Sequence, residues 1–226
     1  MQWPDSEKIV QVDGKDRNSI LILRERLHIE RRHFAHDYVS ELLRAAVVGG
    51  VSALDGYMHE QVLSHSWSLL SRAEDKIPTE LKKLEIPLLD VKRAIDHARK
   101  KNNTRPGNMI KKSIQEILHK NFTFQKPDNI KKAADMLGIA DFWGQVASKM
   151  SSNPSKENVI DRLRQITYRR NQIVHEADLE RKARAKKLTF RKINRNETQE
   201  IVTWITNFGK AMDTVISELD GSIQTS

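Results

Sequence analysis

Leu42, Leu43, Ala46, Val47, Gly50, Ala53, Leu54, Tyr57 and Met58 recur at intervals of three and four residues. Only a helix turns residues so spaced to one side, so the pattern predicts a long helix over roughly residues 34–70 with a wide apolar face. Gly49 and Gly50 fall in its middle, at a cost of about 1 kcal/mol each relative to alanine. Two readings follow. Another helix comes close to the backbone there, or the helix kinks.

The rest of the chain repeats this character. Pro78-Thr79 opens a helix, and Pro87 implies a break near Ile86 because proline lacks the N–H a helix interior needs. Helical spacing resumes over residues 88–100, and residues 102–108 (Asn-Asn-Thr-Arg-Pro-Gly-Asn) read as a loop. Short helices are expected over 109–119, 128–137 (closed by Gly138) and 139–150. A loop at 151–155 leads into a further helix capped by Asn153 or Ser155. The last helix starts at Asn196, with Gln199 placed for a capping box, and ends at Asp220-Gly221. No period-2 strand and no internal repeat interrupts this series, so the fold class is all-α. Residues 1–17 lack periodicity and read as an N-terminal arm; 18–226 read as a single helical domain.

A chain of 226 residues buries a core without staples. With no cysteine, thiolate metal sites and cysteine nucleophiles are excluded. The start is polar and the longest apolar run is too short to span a bilayer, so a cytoplasmic protein without membrane contact is expected. The formal net charge is +9, which favours a polyanionic partner where the charge is clustered. It is clustered. Eight basic and no acidic residues lie between Arg181 and Arg195, and six between Arg99 and Lys112, again with no acid.

Just before the first of these clusters stands Tyr168-Arg169-Arg170-Asn171-Gln172-Ile173-Val174-His175-Glu176-Ala177-Asp178. On an ideal helix Val159, Leu163, Ile166, Ile173 and Ala177 form the buried stripe, and Arg170 falls inside it. A buried guanidinium needs an anion, a carboxylate or a bound phosphate, unless the helix is distorted there. Arg164, Tyr168, Asn171 and His175 share the opposite side. Arg170 and His175 are about 140° apart on the wheel. To meet one phosphate they require a helix that starts or bends within the motif, or two copies of the helix facing each other.

Arg170-Asn171-x-x-x-His175 resembles the Arg, polar residue, His signature of HEPN domains, and the longer run resembles their RiboL-PSP branch. Leu43-Arg44-Ala45-Ala46-Val47-Val48 with Leu54-Asp55-Gly56-Tyr57 is similar to that branch's early helix. Phe124-Gln125-Lys126-Pro127-Asp128-Asn129-Ile130, Leu137-Gly138-Ile139 and Phe142-Trp143 are similar to its middle section. The resemblance implies a helical bundle of the HEPN type with extra short helices. It also implies a homodimer with facing motifs and metal-independent endoribonuclease activity in a toxin or antiviral-defence effector. It assigns Arg170, Asn171 and His175 as catalytic residues. Family toxins that a partner nucleotidyltransferase modifies carry a tyrosine two residues after the histidine; here Ala177 stands there.

The chemistry agrees with the residues. RNA carries its own nucleophile, the 2′-hydroxyl, so cleavage needs proton transfer near neutral pH and a cation on the phosphate. Histidine and arginine are the residue types suited to those tasks. No cofactor and no metal are needed, although His33 and His36 with Asp37 have a spacing that permits a metal. Arg164, Tyr168, Arg169, Lys182, Arg184, Lys186 and Lys187 are candidate RNA contacts. The expected partners are RNA, a second copy, and an antitoxin or a sensor protein of a defence system. Two other readings stand beside this one. The first is a non-catalytic module binding RNA, a nucleotide or a protein; the second is a DNA-binding regulator, for which no helix-turn-helix pattern is visible.

Overall fold

The computed structural model describes residues 38–99, 106–180 and 190–223. Contacts divide the chain into two compact units, Met1–Leu42 and Leu43–Ser226. Of the described residues, 38–42 belong to the first and the rest to the second. The expected N-terminal arm lies outside the described residues, as does the His33/His36 pair.

The helix over the opening apolar run is α1 (Tyr38–Leu70), unbroken through its glycine pair. Its buried stripe runs Arg44, Val47, Val51, Leu54, Met58, Val62, narrower than the predicted face. Leu42, Ala46 and Ala53 are exposed, while Arg44 and Val51 are buried. A Cβ built on Gly50 would stand 2.9 Å from Cδ1 of Ile205, whereas one on Gly49 would meet nothing within 4 Å. The close-approach reading therefore holds at Gly50.

A 3-10 turn (Glu74–Lys76) leads to α2 (Thr79–Lys82) and α3 (Leu88–Arg99). Next come α4 (Pro106–Asn121), α5 (Pro127–Met136), α6 (Phe142–Lys149), α7 (Lys156–His175) and α8 (Arg195–Ile223). Among the described residues there is no strand, only the isolated antiparallel bridge Leu179↔Phe190. The class is all-α.

The local signals explain most boundaries. Pro106-Gly107-Asn108, expected in a loop, open α4 instead; proline suits a first helical turn, whose N–H groups have no partner anyway. Gly107 also lies against the Trp67 ring, 2.8 Å from where a Cβ would sit. Gly138 (φ +78°) ends α5, with Ile139 N donating to Ala134 O and Gly138 N to Asp135 O, the two bonds of a left-handed helix end. Ser155 caps α7 by accepting from Asn158 N. The cap of α8 is Asn194, which accepts from Glu197 N; Gln199 instead donates to Thr203 Oγ1.

One core joins α1, α2 and α4–α8. α6 packs on both α7 and α8, and α5 on α2, α6 and α7. Phe208, Met212, Leu163, Ile166 and Met58 are fully buried, each contributing about 1.5–3 kcal/mol by leaving water. Trp143 and Trp204 stack on Phe208 at 6.1 and 5.0 Å. α3 is the exception: it packs on α4, yet Leu88, Leu89, Val91 and Ile95 are all exposed. No helix among the described residues is long and apolar enough to cross a membrane.

Candidate active site

α7 owes its length to the stripe Val159, Leu163, Ile166, which is buried as the spacing predicts. Two polar residues join it. Thr167 is buried because its hydroxyl donates to the carbonyl of Gln125, in the loop before α5, and to Leu163 O, both at 2.9 Å. Gln172 is buried because the chain turns back along its side: Glu176 N and Asp178 N both donate to its carbonyl, at 3.2 and 2.9 Å. A wheel drawn for one helix cannot show either, since both result from chain outside it.

The same Gln125 ties the site to α1. Asp55 accepts from Phe124 N at 2.5 Å and from Gln125 Nε2 at 2.8 Å. Next to it, buried His59 stacks on His119 at 4.7 Å, with Nε2 3.5 Å from Asp55 Oδ1. Burial holds the His59 imidazole below its ordinary pKa; the Asp55 carboxylate opposes this and His119 adds to it.

His175 is the last residue of α7, and the helix runs to it without a break. The alternative in which α7 starts inside the motif is thereby overturned. The i→i−4 ladder continues because Ile173 still packs against the core. Arg170 and His175 thus leave the helix in different directions. His175 is exposed and has no hydrogen bond or ion pair among the described residues.

Arg170 is half-buried. Its Nη1 donates to Asn171 Oδ1 at 3.1 Å, and its Nε is buried with no hydrogen-bond partner. No carboxylate among the described residues pairs with it. An unmet buried donor costs about 1–3 kcal/mol, so this guanidinium is held ready for an acceptor that the described residues do not provide.

Arg169 has the opposite fate. Its Nη1 and Nη2 donate to Oδ1 and Oδ2 of Asp178, the second at 3.1 Å. Asp178 is fully buried, and its Oδ2 also accepts from Arg44 Nε at 2.7 Å. Arg44 in turn donates through Nη2 to Arg191 O at 3.0 Å, and its guanidinium lies 5.6 Å over the Phe190 ring. Arg191 N donates to Asp178 O at 2.7 Å. Arg169, taken from sequence as an RNA contact, is thus engaged inside the protein.

Of the other candidates, Arg164 is exposed and paired with Asp161 at 2.6 Å, and Tyr168 is exposed. Lys182, Arg184, Lys186 and Lys187 lie outside the described residues. Sequence reasoning missed Arg44 and Asp178. A signal existed: Arg44 occupies the 44/47/51/54 stripe of α1, where a charge must find a partner. No group of three metal-ligating side chains exists among the described residues.

The motif therefore presents the Arg170 guanidinium, with no carboxylate partner among the described residues, and, five residues on, an exposed imidazole, on a helix braced from α1 and from the loop before α5. No curated protein and no solved structure matches it. A family model described as RiboL-PSP-HEPN matches residues 16–218, which include α1–α7 and most of α8. With the helical architecture and the Arg170-Asn171-x-x-x-His175 arrangement, that match shows that the chain belongs to the RiboL-PSP-HEPN family.

Proposed function

We propose that this protein is a metal-independent endoribonuclease whose working unit is a homodimer, with the two α7 helices facing across a composite cleft. The family is one associated with RNase-like or RNA-related function. The observation that carries the reading is Arg170: a half-buried guanidinium with an unmet Nε and no carboxylate, beside an exposed histidine. A phosphodiester supplies the missing acceptor, and the planar fork of arginine matches its oxygens.

In this mechanism the 2′-hydroxyl attacks the adjacent phosphorus and the 5′-oxygen of the next nucleotide leaves. His175 of one copy removes the 2′-proton, and His175 of the other protonates the leaving oxygen. Arg170 holds the non-bridging oxygens as charge builds on them. Asn171 keeps the Arg170 side chain in place through its amide oxygen. The continuous α7 supports the dimer, because at ideal helical spacing Arg170 and His175 point about 140° apart. In the cell the activity serves a toxin or an antiviral-defence effector, cytoplasmic like its substrate, restrained by an antitoxin or a sensor protein.

The test is incubation of purified protein with RNA, with and without chelator. Cleavage that survives chelation, leaves 2′,3′-cyclic phosphate ends, and disappears in Arg170→Ala and His175→Ala supports the reading. Loss of cleavage in chelator would sink it. Growth arrest by wild type but not by His175→Ala tests the cellular role, and light scattering tests the dimer. A second reading, a module that holds RNA without cutting it, draws on His175 having no partner among the described residues to orient it. There RNA binds, is never cut, and Arg170→Ala weakens binding more than His175→Ala does.

A further inference from the structure

The chain reverses immediately after His175 in a way that its residue types do not favour. Ala177 and Asp178 both take left-handed backbone angles, φ +50° and +54°, although neither is glycine. A conformation of this kind persists only where its surroundings hold it. The hold is the Asp178 carboxylate, shared between Arg44 and Arg169, together with the backbone bonds from Asp178 N to Gln172 O and from Arg191 N to Asp178 O. Asp178 is only three residues past His175, and Arg169 directly precedes Arg170.

We propose that Asp178 is the positioning residue of the site: gripped by Arg44 and Arg169, it fixes the reversal that ends α7 and so holds His175 in place. The grip also keeps Arg169 inside the protein, leaving Arg170 as the guanidinium of the motif that meets phosphate. This inference deepens the ribonuclease reading and rests on it for its consequence. The geometry of the grip does not depend on catalysis. Asp178 touches neither substrate nor reacting atoms; it acts through His175 and Arg170.

The experiment compares wild type, Asp178→Asn, Arg44→Gln/Asp178→Asn, and Met58→Ala as a core variant chosen to lose comparable stability. Two readouts are taken well below each melting temperature: the NMR signals of the His175 imidazole, and kcat and KM for a short RNA. In Asp178→Asn the imidazole signals shift or broaden. Its kcat per folded molecule falls at least tenfold, and its KM does not rise, because two released guanidiniums add positive charge. Met58→Ala changes neither readout. The double variant, which removes one cation together with the anion and leaves amides to bond one another, recovers part of both. Imidazole signals in Asp178→Asn identical to wild type, or moved equally by Met58→Ala, overturn the proposal. If wild type never cuts RNA, the ribonuclease reading falls by itself, and the imidazole spectra alone decide the positioning role. Should Asp178→Asn not fold, Arg44→Lys keeps the charge but not the second bond to Arg191 O. It must then show the same imidazole change, and its failure to do so overturns the proposal equally.

Discussion

Arg169 binds both carboxylate oxygens of Asp178, nine residues further along the chain, while Arg170 beside it pairs with no carboxylate among the described residues. Neighbouring arginines are thereby sorted into a structural and an available one. Arg169→Met should cost about 3 kcal/mol of unfolding free energy, because it removes half of the counter-charge from a buried ion. Arg170→Met should change stability by no more than about 0.5 kcal/mol, or raise it, because it removes an unmet buried donor. Urea unfolding of both variants measures the difference. Equal losses would contradict the sorting.

The reversal after α7 gives a prediction of opposite sign. Ala177 holds φ +50°, which costs an L-residue about 1–2 kcal/mol relative to its ordinary conformations. Ala177→Gly should therefore raise the urea midpoint by an amount equivalent to about 1 kcal/mol. A lowered midpoint would show that the angle carries no strain.

Adjacent glycines in α1 should respond differently to the same change. Gly49 faces open space, so Gly49→Ala gains helix propensity without a clash and stabilises by about 1 kcal/mol. Gly50 lies beneath Ile205. Alanine there asks only the end of a flexible side chain to move, so gain and loss nearly cancel. Gly50→Val should cost about 1–3 kcal/mol through overpacking. Thermal melts of the three variants separate these outcomes.

The buried His59 makes stability depend on pH. Its pKa is held below the ordinary histidine value by burial, so on acidification the unfolded chain takes up this proton before the folded one does. Stability attributable to His59 is thus fully present above about pH 6.5. It declines as pH falls from there toward the lower folded pKa, and is level below it. Asp55 works against this loss, while His119, once protonated, adds repulsion across the stacked pair. His59→Phe should flatten the acid side of the stability profile measured by denaturant titration. An unchanged slope would assign the acid sensitivity elsewhere.

The helices and the motif were legible in the sequence because they are local. Periodicity over residues 34–70 placed α1, and the stripe Val159, Leu163, Ile166 placed α7, since each face is set by spacing within one element. What stayed hidden depends on chain far away. Thr167 and Gln172 are buried by the loop before α5 and by the reversal beyond His175. Arg44 meets Asp178 across 134 residues. Pro106-Gly107 read as a loop by composition, yet proline opens a helix and glycine lets the Trp67 ring close in. The wheel put Arg170 in need of an anion, but it could not choose between a structural carboxylate and a bound phosphate.

The pairing of Leu179 with Phe190, braced by Arg44 over the Phe190 ring, fastens together two points of the chain eleven residues apart. Once both ends of a segment are fastened, doubling its length costs only about 0.6 kcal/mol in closure entropy. Closure entropy therefore sets little limit on the length of chain that a lineage of such proteins, or an engineer, can place between these two residues.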